Sequence, residues 1–370
     1  MGILDLSRRT LLSRFGGLAM APRVLFGGAA HAQDHRLEAE WLATAGVEGG
    51  FAPVMLSPDF SATQVKAGVQ RLHWVEPNPD GRTAIAVARR PGTTAVLFAR
   101  HSGTVLATFE PGADRVFSGH GRFIEGGRRF LAVEIERESG KGIVTRRVVE
   151  ADFAIEAEWA SSGIGPHDML PAGGVLVVAN GGIEPHTPEA LGAEIAGASI
   201  ARLDTETGAV RSVAELEPDF ASLSLRHLSS GHDGLTVVAA QDLLADGEAR
   251  PLVFAVEGER LRAFEAPDEE WRQLRTYVGS VAVDASGAYV AAASPRGNRV
   301  AIWKRDGHFL GSLPLVDGCG LAPTREAGQF LATSGLGEVA LLKADDEGVG
   351  VIARRSGGPR FDNHAALAVN

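Results

Sequence analysis

The segment Gly287-Ala-Tyr-Val-Ala-Ala-Ala293 decides the fold, because its pattern recurs along the chain. A glycine turn precedes a short run of small apolar residues, and a second run, Val300-Ala-Ile-Trp-Lys-Arg-Asp-Gly307, ends at another polar turn. Runs of this length and composition, bounded by turn residues, are typical of buried β-strands and are too short for helices. Each copy therefore predicts a small antiparallel meander.

Five further copies of this glycine-turn run align with the first. They are Gly81 with residues 83–88, Gly127 with 130–133, Gly174 with 175–179, Gly234 with 235–240 and Gly328 with 330–333. A spacing of roughly 40 to 60 residues is typical of propeller blades. The 46 glycines of the 370-residue chain are thus explained as repeated turns.

A seventh unit is predicted from the two ends of the chain. Residues 37–45, 51–57 and 62–69 have the composition of three strands without an innermost partner, and residues 364–370 would supply it. We therefore predict an all-β fold, a seven-bladed β-propeller of the WD40/YVTN-like kind, closed by N- and C-terminal strands in one blade. The predicted domain covers residues 33–370. Two β-sandwiches in tandem are the alternative.

Residues 1–32 have the features of a twin-arginine signal peptide. Ser7-Arg8-Arg9-Thr10-Leu11-Leu12 precedes a stretch rich in Gly, Ala, Leu and Phe, and Ala30-His31-Ala32 resembles a cleavage site. We therefore expect export by the twin-arginine route and a periplasmic location. No segment has the ~20 apolar residues of a membrane-spanning helix, so no membrane span is expected.

Charge and cysteine content exclude several classes of function. The formal net charge of −10 becomes −13 without the four arginines and one aspartate of residues 1–32. A nucleic-acid partner is not expected, because phosphate binding requires a positive surface. Cys319 is the only cysteine, which excludes an intramolecular disulfide, a cysteine-based zinc cluster and a C-x-x-C-H haem attachment site.

Alignment of the repeats by their turn glycines places histidine at the start of five innermost strands. These residues are His73, His120, His167, His227 and His364, and Ser280 and Cys319 take this position in the other two blades. Innermost strands line the axial channel of a propeller. We therefore expect the histidines at the channel mouth on one face. Loops returning to that face would add rim residues, namely Asn180, Gln241, Arg296 and Asp317.

Imidazole is a common ligand of iron, copper and zinc, so this arrangement predicts a site for iron, another transition metal or a metal complex, with Cys319 and Asp317 as further ligands. Two interpretations stay open beside it. The histidines could hydrogen-bond to the backbone of neighbouring blades and hold them together, or they could titrate in catalysis. Arg296 could clamp an anion or pair with Asp317 or Asp168.

The chain resembles a bacterial family known as domain of unknown function 1513. The resemblance rests on Ser118-Gly-His-Gly-Arg-Phe123, Gly163-Ile-Gly-Pro-His-Asp168, Val178-Ala-Asn-Gly-Gly-Ile183, Leu223-Ser-Leu-Arg-His-Leu228, Ser294-Pro-Arg-Gly-Asn298, Asp317-Gly-Cys-Gly320 and Phe361-Asp-Asn-His364. It implies an exported seven-bladed propeller that is iron-regulated, with partners in iron uptake that are imelysin-like or cytochrome-like. After His186 the chain departs from the family pattern, because Leu191-Gly-Ala-Glu-Ile195 replaces a Gly-Arg-x-x-Leu-Asn segment.

Three functions follow as hypotheses. The first is a periplasmic binding or accessory protein in iron uptake, whose histidine-rich channel binds a metal or metal complex. The second is a cofactor-dependent oxidoreductase that uses the same face. The third is a protein-docking platform in which the histidines are structural. We expect binding rather than catalysis, because the sequence has no nucleophile elbow, phosphate loop or zinc-protease motif.

Overall fold

The glycine turns fold as the repeat predicts. The computed structural model describes residues 40–66, 70–183, 195–244 and 246–368. The six aligned glycines each have φ between +69° and +90°, a conformation that costs glycine little and other residues much more. Each precedes the second strand of a four-stranded antiparallel sheet. The predicted signal peptide at 1–32 and His186 lie outside the described residues.

Seven such sheets form the blades of a β-propeller, which confirms the predicted fold class. The strands of blade 1, from the axis outwards, are β28 (Arg360–Leu367), β1 (Trp41–Val47), β2 (Gly50–Leu56) and β3 (Ala62–Gln64). Blade 2 has β4 (Leu72–Pro77), β5 (Thr83–Ala88), β6 (Ala95–Ala99) and β7 (Val105–Phe109). Blade 3 has β8 (Arg115–Ile124), β9 (Arg129–Glu136), β10 (Lys141–Val148) and β11 (Ala154–Ile164).

The remaining blades follow the same order. Blade 4 has β12 (Pro166–Ala172), β13 (Val175–Asn180), β14 (Ser199–Asp204) and β15 (Val210–Glu215). Blade 5 has β16 (Leu223–Ser230), β17 (Thr236–Asp242), β18 (Val253–Glu257) and β19 (Arg260–Ala263). Blade 6 has β20 (Ser280–Val283), β21 (Tyr289–Ser294), β22 (Arg299–Lys304) and β23 (Phe309–Pro314). Blade 7 has β24 (Gly318–Pro323), β25 (Gln329–Ser334), β26 (Val339–Asp345) and β27 (Gly348–Arg355).

Helix is scarce in the described part of the chain. The α-helix α1 (Asp268–Gln273) joins blades 5 and 6, and its buried Trp271 stacks on Trp303 at a centroid distance of 5.5 Å. Short 3-10 turns cover Glu125–Gly127, Val149–Ala151 and Pro218–Phe220. Within the described residues, no helix has the length and apolar character needed to cross a membrane.

The ring closes in blade 1, as predicted, because β28 pairs antiparallel with β1. The bounds differ from those expected: the closing strand begins at Arg360, four residues before His364, and the third strand ends at Gln64 rather than at residue 69. Adjacent innermost strands contact each other around the axis, β24 with β28 and β28 with β4 included. Small apolar side chains from neighbouring blades form the core.

A charge in the closing strand should open the ring. Ala365 is 3% exposed and faces Ala43 in the closing pair, so Ala365→Asp would bury an unpaired carboxylate and should cost at least about 3 kcal/mol of unfolding free energy. Val351→Asp on the outermost strand of blade 7, where the side chain is 38% exposed, is the matched control and should change it by about 0.5 kcal/mol or less. Urea unfolding measures both, and equal losses would contradict a closing role for β28.

Candidate metal centre in the axial channel

All five predicted histidines meet on the propeller axis. Ring centroids are 4.6 Å apart for His73 and His364, 4.3 Å for His227 and His364, 4.9 Å for His73 and His120, and 4.7 Å for His167 and His227. Alignment of the turn glycines therefore identified side chains that meet in the folded protein although their residues are up to 291 positions apart in the chain.

The expected position at the channel mouth was wrong. His73, His120, His227 and His364 are 0–3% exposed, so they lie within the channel rather than at its rim. The reason is that three innermost strands begin well before the histidine: β8 at Arg115, β16 at Leu223 and β28 at Arg360. The histidines therefore occupy the middle of those strands.

A β-bulge places each of these side chains. In six blades the register between the innermost and second strands shifts at the aligned position. The bulged residues are His73 in β4, 118–120 in β8, His167 in β12, 226–227 in β16, Cys319 in β24 and 362–364 in β28. Blade 6, which has Ser280 there, has no shift. Bulges redirect side chains and are common beside active sites, and here they turn the imidazoles towards the axis.

Two positions near the cluster show the backbone demands of this packing. Gly119 has φ +114°, and a Cβ there would lie 2.8 Å from the His73 ring, so only glycine fits. His364 has φ +78°, a left-handed conformation that is uncommon for residues other than glycine. Such strain costs of order 1–3 kcal/mol and is concentrated at functional sites.

Burial keeps the imidazoles uncharged. Loss of solvent lowers the pKa of His73 to about 4, although the negative charge of Asp362 opposes this shift. Burial and then the neighbouring histidine and arginine charges hold the pKa values of His167, His227 and His364 well below their usual range. Burial also lowers the pKa of His120, against the charge of Asp168. Neutral imidazole is the form that binds metals.

Several ring nitrogens have no hydrogen-bond partner within the described parts of the chain. They are His73 Nδ1, His120 Nε2, His167 Nε2 and both nitrogens of His227. This argues against the interpretation in which the histidines hold blades together through backbone hydrogen bonds. An unsatisfied buried polar group costs about 1–3 kcal/mol, so a ligand that binds the unprotonated nitrogens among these atoms would stabilise the channel.

Carboxylates lie behind two of the rings. Asp168 Oδ1 is 3.1 Å from His120 Nδ1, and it also accepts from Arg122 Nη2 at 3.0 Å, while Oδ2 accepts from the backbone N–H of Leu228 at 2.9 Å. Asp362 Oδ1 is 3.9 Å from His73 Nδ1. Burial opposes ionisation of both carboxyl groups, but these cationic and N–H partners outweigh it and hold their pKa values below the usual range.

The other predicted residues do not join the cluster. Cys319 occupies the equivalent bulge, but its thiol lies 3.3 Å from Asp362 O and 3.5 Å from Phe361 O, and burial raises its pKa. Cys319 is not among the residues whose ligand atoms lie within 4.8 Å of one another. Asn180 is fully buried and donates to Ser161 O at 3.2 Å, so it does not form a rim.

The remaining predicted rim residues lie outside the group of close histidine nitrogens. Gln241 is 7% exposed and forms an isolated β-bridge with Tyr277. The Arg296 guanidinium lies 4.5 Å from the centroid of the Tyr277 ring, and Asp168 pairs with Arg122 instead. Asp317 is half-buried and lines a cavity with Cys319, at the opposite end of the channel from the cavity above the histidines.

A cavity of about 490 Å³ adjoins the cluster on the side of the C-terminal halves of the innermost strands. His227 and His364 line it, together with Trp74, Glu76 and Arg122. Sequence alignment missed these last three because they follow the histidines on the strands and share no residue type. The Arg122 guanidinium lies 4.0 Å from the Trp74 ring centroid, and Trp74 Nε1 donates to Glu76 Oε2 at 2.8 Å.

Comparison with known proteins is consistent with this architecture. A family model described as "Protein of unknown function (DUF1513)" matches residues 67–368. No curated protein matches the chain. The structure of Pseudomonas aeruginosa periplasmic gluconolactonase, PpgL, is similar, with 16% sequence identity, a TM-score of 0.59, and coverage of 90% of this chain and 99% of that one. At this identity the likeness shows the propeller fold alone.

The buried histidines should make the metal-free protein unstable in acid. Their pKa values in the folded protein lie below the value in the unfolded chain. Their contribution to the free energy of unfolding is therefore complete above about pH 6.5 and is lost as the pH falls towards about 4, the pKa of His73. Each histidine should add up to about 1.4 kcal/mol per pH unit to the slope. Urea unfolding in the presence of a chelator, at several pH values between 7.5 and 4.5, measures this slope of unfolding free energy against pH. His227→Gln should reduce the slope, and His101→Gln, at an exposed position, should not; identical slopes would refute this.

Strain at His364 can be separated from loss of its ring. His364→Gly and His364→Ala both remove the imidazole, but only glycine accepts φ +78° without strain. We expect the glycine variant to be more stable than the alanine variant by about 1 kcal/mol in thermal or urea unfolding. Alanine being the more stable of the two would show that this backbone conformation is not retained.

Proposed function

The chain belongs to the DUF1513 family, as its match over residues 67–368 establishes, and we propose that it is a binding protein that holds a transition-metal ion in its propeller channel. The observation that carries the proposal is the meeting of His73, His120, His227 and His364. Each offers one ring nitrogen, and these four atoms lie within 4.8 Å of one another.

The spacing suits a first-row metal ion after a small contraction. Ligand nitrogens lie about 2.1 Å from such an ion, so two of them are about 3.4 Å apart in a tetrahedral site and about 4.2 Å apart when they face each other across the ion. His73 Nε2 and His364 Nε2 are 3.3 Å apart, which suits a tetrahedral site. A pair at the 4.8 Å limit would need to close by about 0.6 Å to face each other across the ion, or by about 1.4 Å in a tetrahedral site.

The groups behind the rings support the same set of ligand atoms. A metal-binding histidine usually has a carboxylate, carbonyl or water on its outer nitrogen, which fixes the tautomer and orients the ring. Asp168 stands at Nδ1 of His120, Asp362 stands more distantly at Nδ1 of His73, and Ser280 Oγ lies 3.3 Å from Nδ1 of His364. The Nε2 atoms of these three rings would then bind the ion, which would replace the hydrogen bond between His73 Nε2 and His364 Nε2.

His167 has a different position in the cluster. Its Nδ1 is 3.2 Å from Arg226 Nη1, and because guanidinium can only donate, this nitrogen accepts. Its Nε2 therefore carries the proton and cannot bind a metal. His167 packs against His227 and His120, and it would exclude water from one side of the ion.

A bound ion would supply Lewis-acid or redox chemistry, and the cavity beside it would admit a small ligand. Trp74 packs against His120 and His364 at centroid distances of 5.8 and 5.5 Å and so supports both rings. Burial raises the pKa of Glu76 to about 7, against the charge of Arg122. Glu76 can therefore hold or release a proton near neutral pH, which favours the oxidoreductase hypothesis only if a reactive ion is present.

Imidazole accepts iron, copper and zinc alike, and iron is the ion that the family resemblance implies. Periplasmic location, twin-arginine export and imelysin-like or cytochrome-like partners remain part of the proposal. Export of a folded chain agrees with a site built from four blades, because such a site exists only after folding. The docking hypothesis is compatible with the same structure.

Metal content tests the proposal. The full chain, exported natively and purified without chelator, should contain about one equivalent of iron, copper or zinc by elemental analysis, and X-ray absorption should show a nitrogen-only first shell with imidazole scattering. His227→Ala and His73→Ala should each weaken metal binding by at least about 10- to 100-fold. Loss of a residue that only hydrogen-bonds to a metal ligand already has an effect of that size, and these two residues are proposed as ligands themselves. An absorbing cofactor would support the oxidoreductase hypothesis.

His101→Ala and His308→Ala are the matched controls, because both side chains are exposed and lie away from the cluster. They should retain the full metal content. If the wild-type protein is isolated without metal and takes up no Fe²⁺, Cu²⁺ or Zn²⁺ at micromolar concentration, the proposal fails. The absorption spectrum of the wild-type protein decides the matter even where a ligand variant does not fold.

A further inference from the structure

We propose a second binding site, for a small oxyanion, in a cavity of about 460 Å³ at the other end of blade 2. The cavity is lined by Gln70, Arg71, Arg89, Arg90 and Pro91, so three of its five lining residues are arginines. This concentration of positive charge is unusual in a chain with a net charge of −10. The proposal is independent of the metal centre.

The loop that carries two of the arginines is held by its backbone. Ala88 N donates to Thr94 O at 3.0 Å, Phe117 N donates to Gly92 O at 2.7 Å, and Arg89 N donates to Arg71 O at 2.7 Å. The loop is therefore positioned without using the Arg89 guanidinium. A preorganised loop reduces the entropy lost when a ligand binds.

The polar side chains around the cavity are oriented as donors. Gln70 Oε1 already accepts from Thr93 N and Thr93 Oγ1, both at 3.0 Å, so its amide nitrogen remains for a ligand. Arg71 binds Asp362 through Nε and Nη2, which fixes its guanidinium and leaves Nη1. Guanidinium and amide donors together match the oxygens of a carboxylate or phosphate.

The donors on which the proposed site depends are the Arg89 guanidinium, Nη1 of Arg71 and the amide nitrogen of Gln70. Asp362 pairs with Arg71, and no acidic side chain lines the cavity itself among the described residues. Arg89 is half-buried. A half-buried guanidinium in this setting binds anions more strongly than an exposed one, because water screens it less.

Carboxylate and phosphate ligands share this chemistry, and titration distinguishes them. Isothermal titration of the full chain as purified, with citrate, succinate and inorganic phosphate in separate runs, should give 1:1 binding for at least one of them, weakened by added salt. Tighter binding of phosphate than of either carboxylate would identify a phosphate ligand, and the reverse a carboxylate. Absence of binding to all three at about 10 mM would overturn the proposal.

Variants locate the site. Arg89→Ala should raise the dissociation constant at least about tenfold, and Arg89→Lys should raise it less, since lysine keeps the charge but loses the fork. The control is Arg137→Ala, an exposed arginine in the equivalent loop of blade 3, which should bind the anion as the wild type does. Unchanged binding in Arg89→Ala with unchanged melting temperature would refute the site. If Arg89→Ala does not fold, protection of wild-type loop 88–94 from hydrogen exchange by the anion decides.

Discussion

Withdrawal of five imidazole rings from water is the constraint on which the centre of this propeller depends. The rings contact one another edge to face. A proton taken up by one ring would place a buried positive charge beside the others and raise the free energy of the folded protein. The cluster is therefore stable only while it is neutral, and the neutral rings expose lone pairs to each other. A cation among them would remove both difficulties at once, which is why the proposed ion and the fold support each other.

Asp168 and Asp362 connect this centre to the rest of the ring. Asp168 lies in blade 4, yet it faces His120 of blade 3 and accepts from the backbone of Leu228 in blade 5. Asp362 of blade 1 contacts Arg71 beside blade 2. Each carboxylate thus joins neighbouring blades, and Asp168 also lies close enough to His120 Nδ1 to orient that ring.

The fold could be predicted from the sequence because its signals are local. Turn glycines such as Gly81 and Gly287 mark each blade, and the unpaired strands at the ends of the chain indicate closure. The convergence of the histidines was also predictable, since they share one position in the repeat. Their depth was not, because a bulge adds a residue without any characteristic residue type. Cys319 shows this clearly: it occupies the same bulge, but its thiol faces backbone carbonyl groups. Trp74 and Glu76 gave no signal because no repeat aligns them.

Closure of blade 1 by β28 has a consequence for the order of assembly. His364 lies on the closing strand, so an open ring holds at most three of the four proposed ligands. Occupation of the site by four ligands would then show that β28 has paired with β1. A bound ion would slow dissociation of β28, because dissociation would break a coordination bond as well as the hydrogen bonds between the strands. A bound ion would therefore stabilise the closed ring, and the lifetime of the closed state would depend in part on how much metal is available.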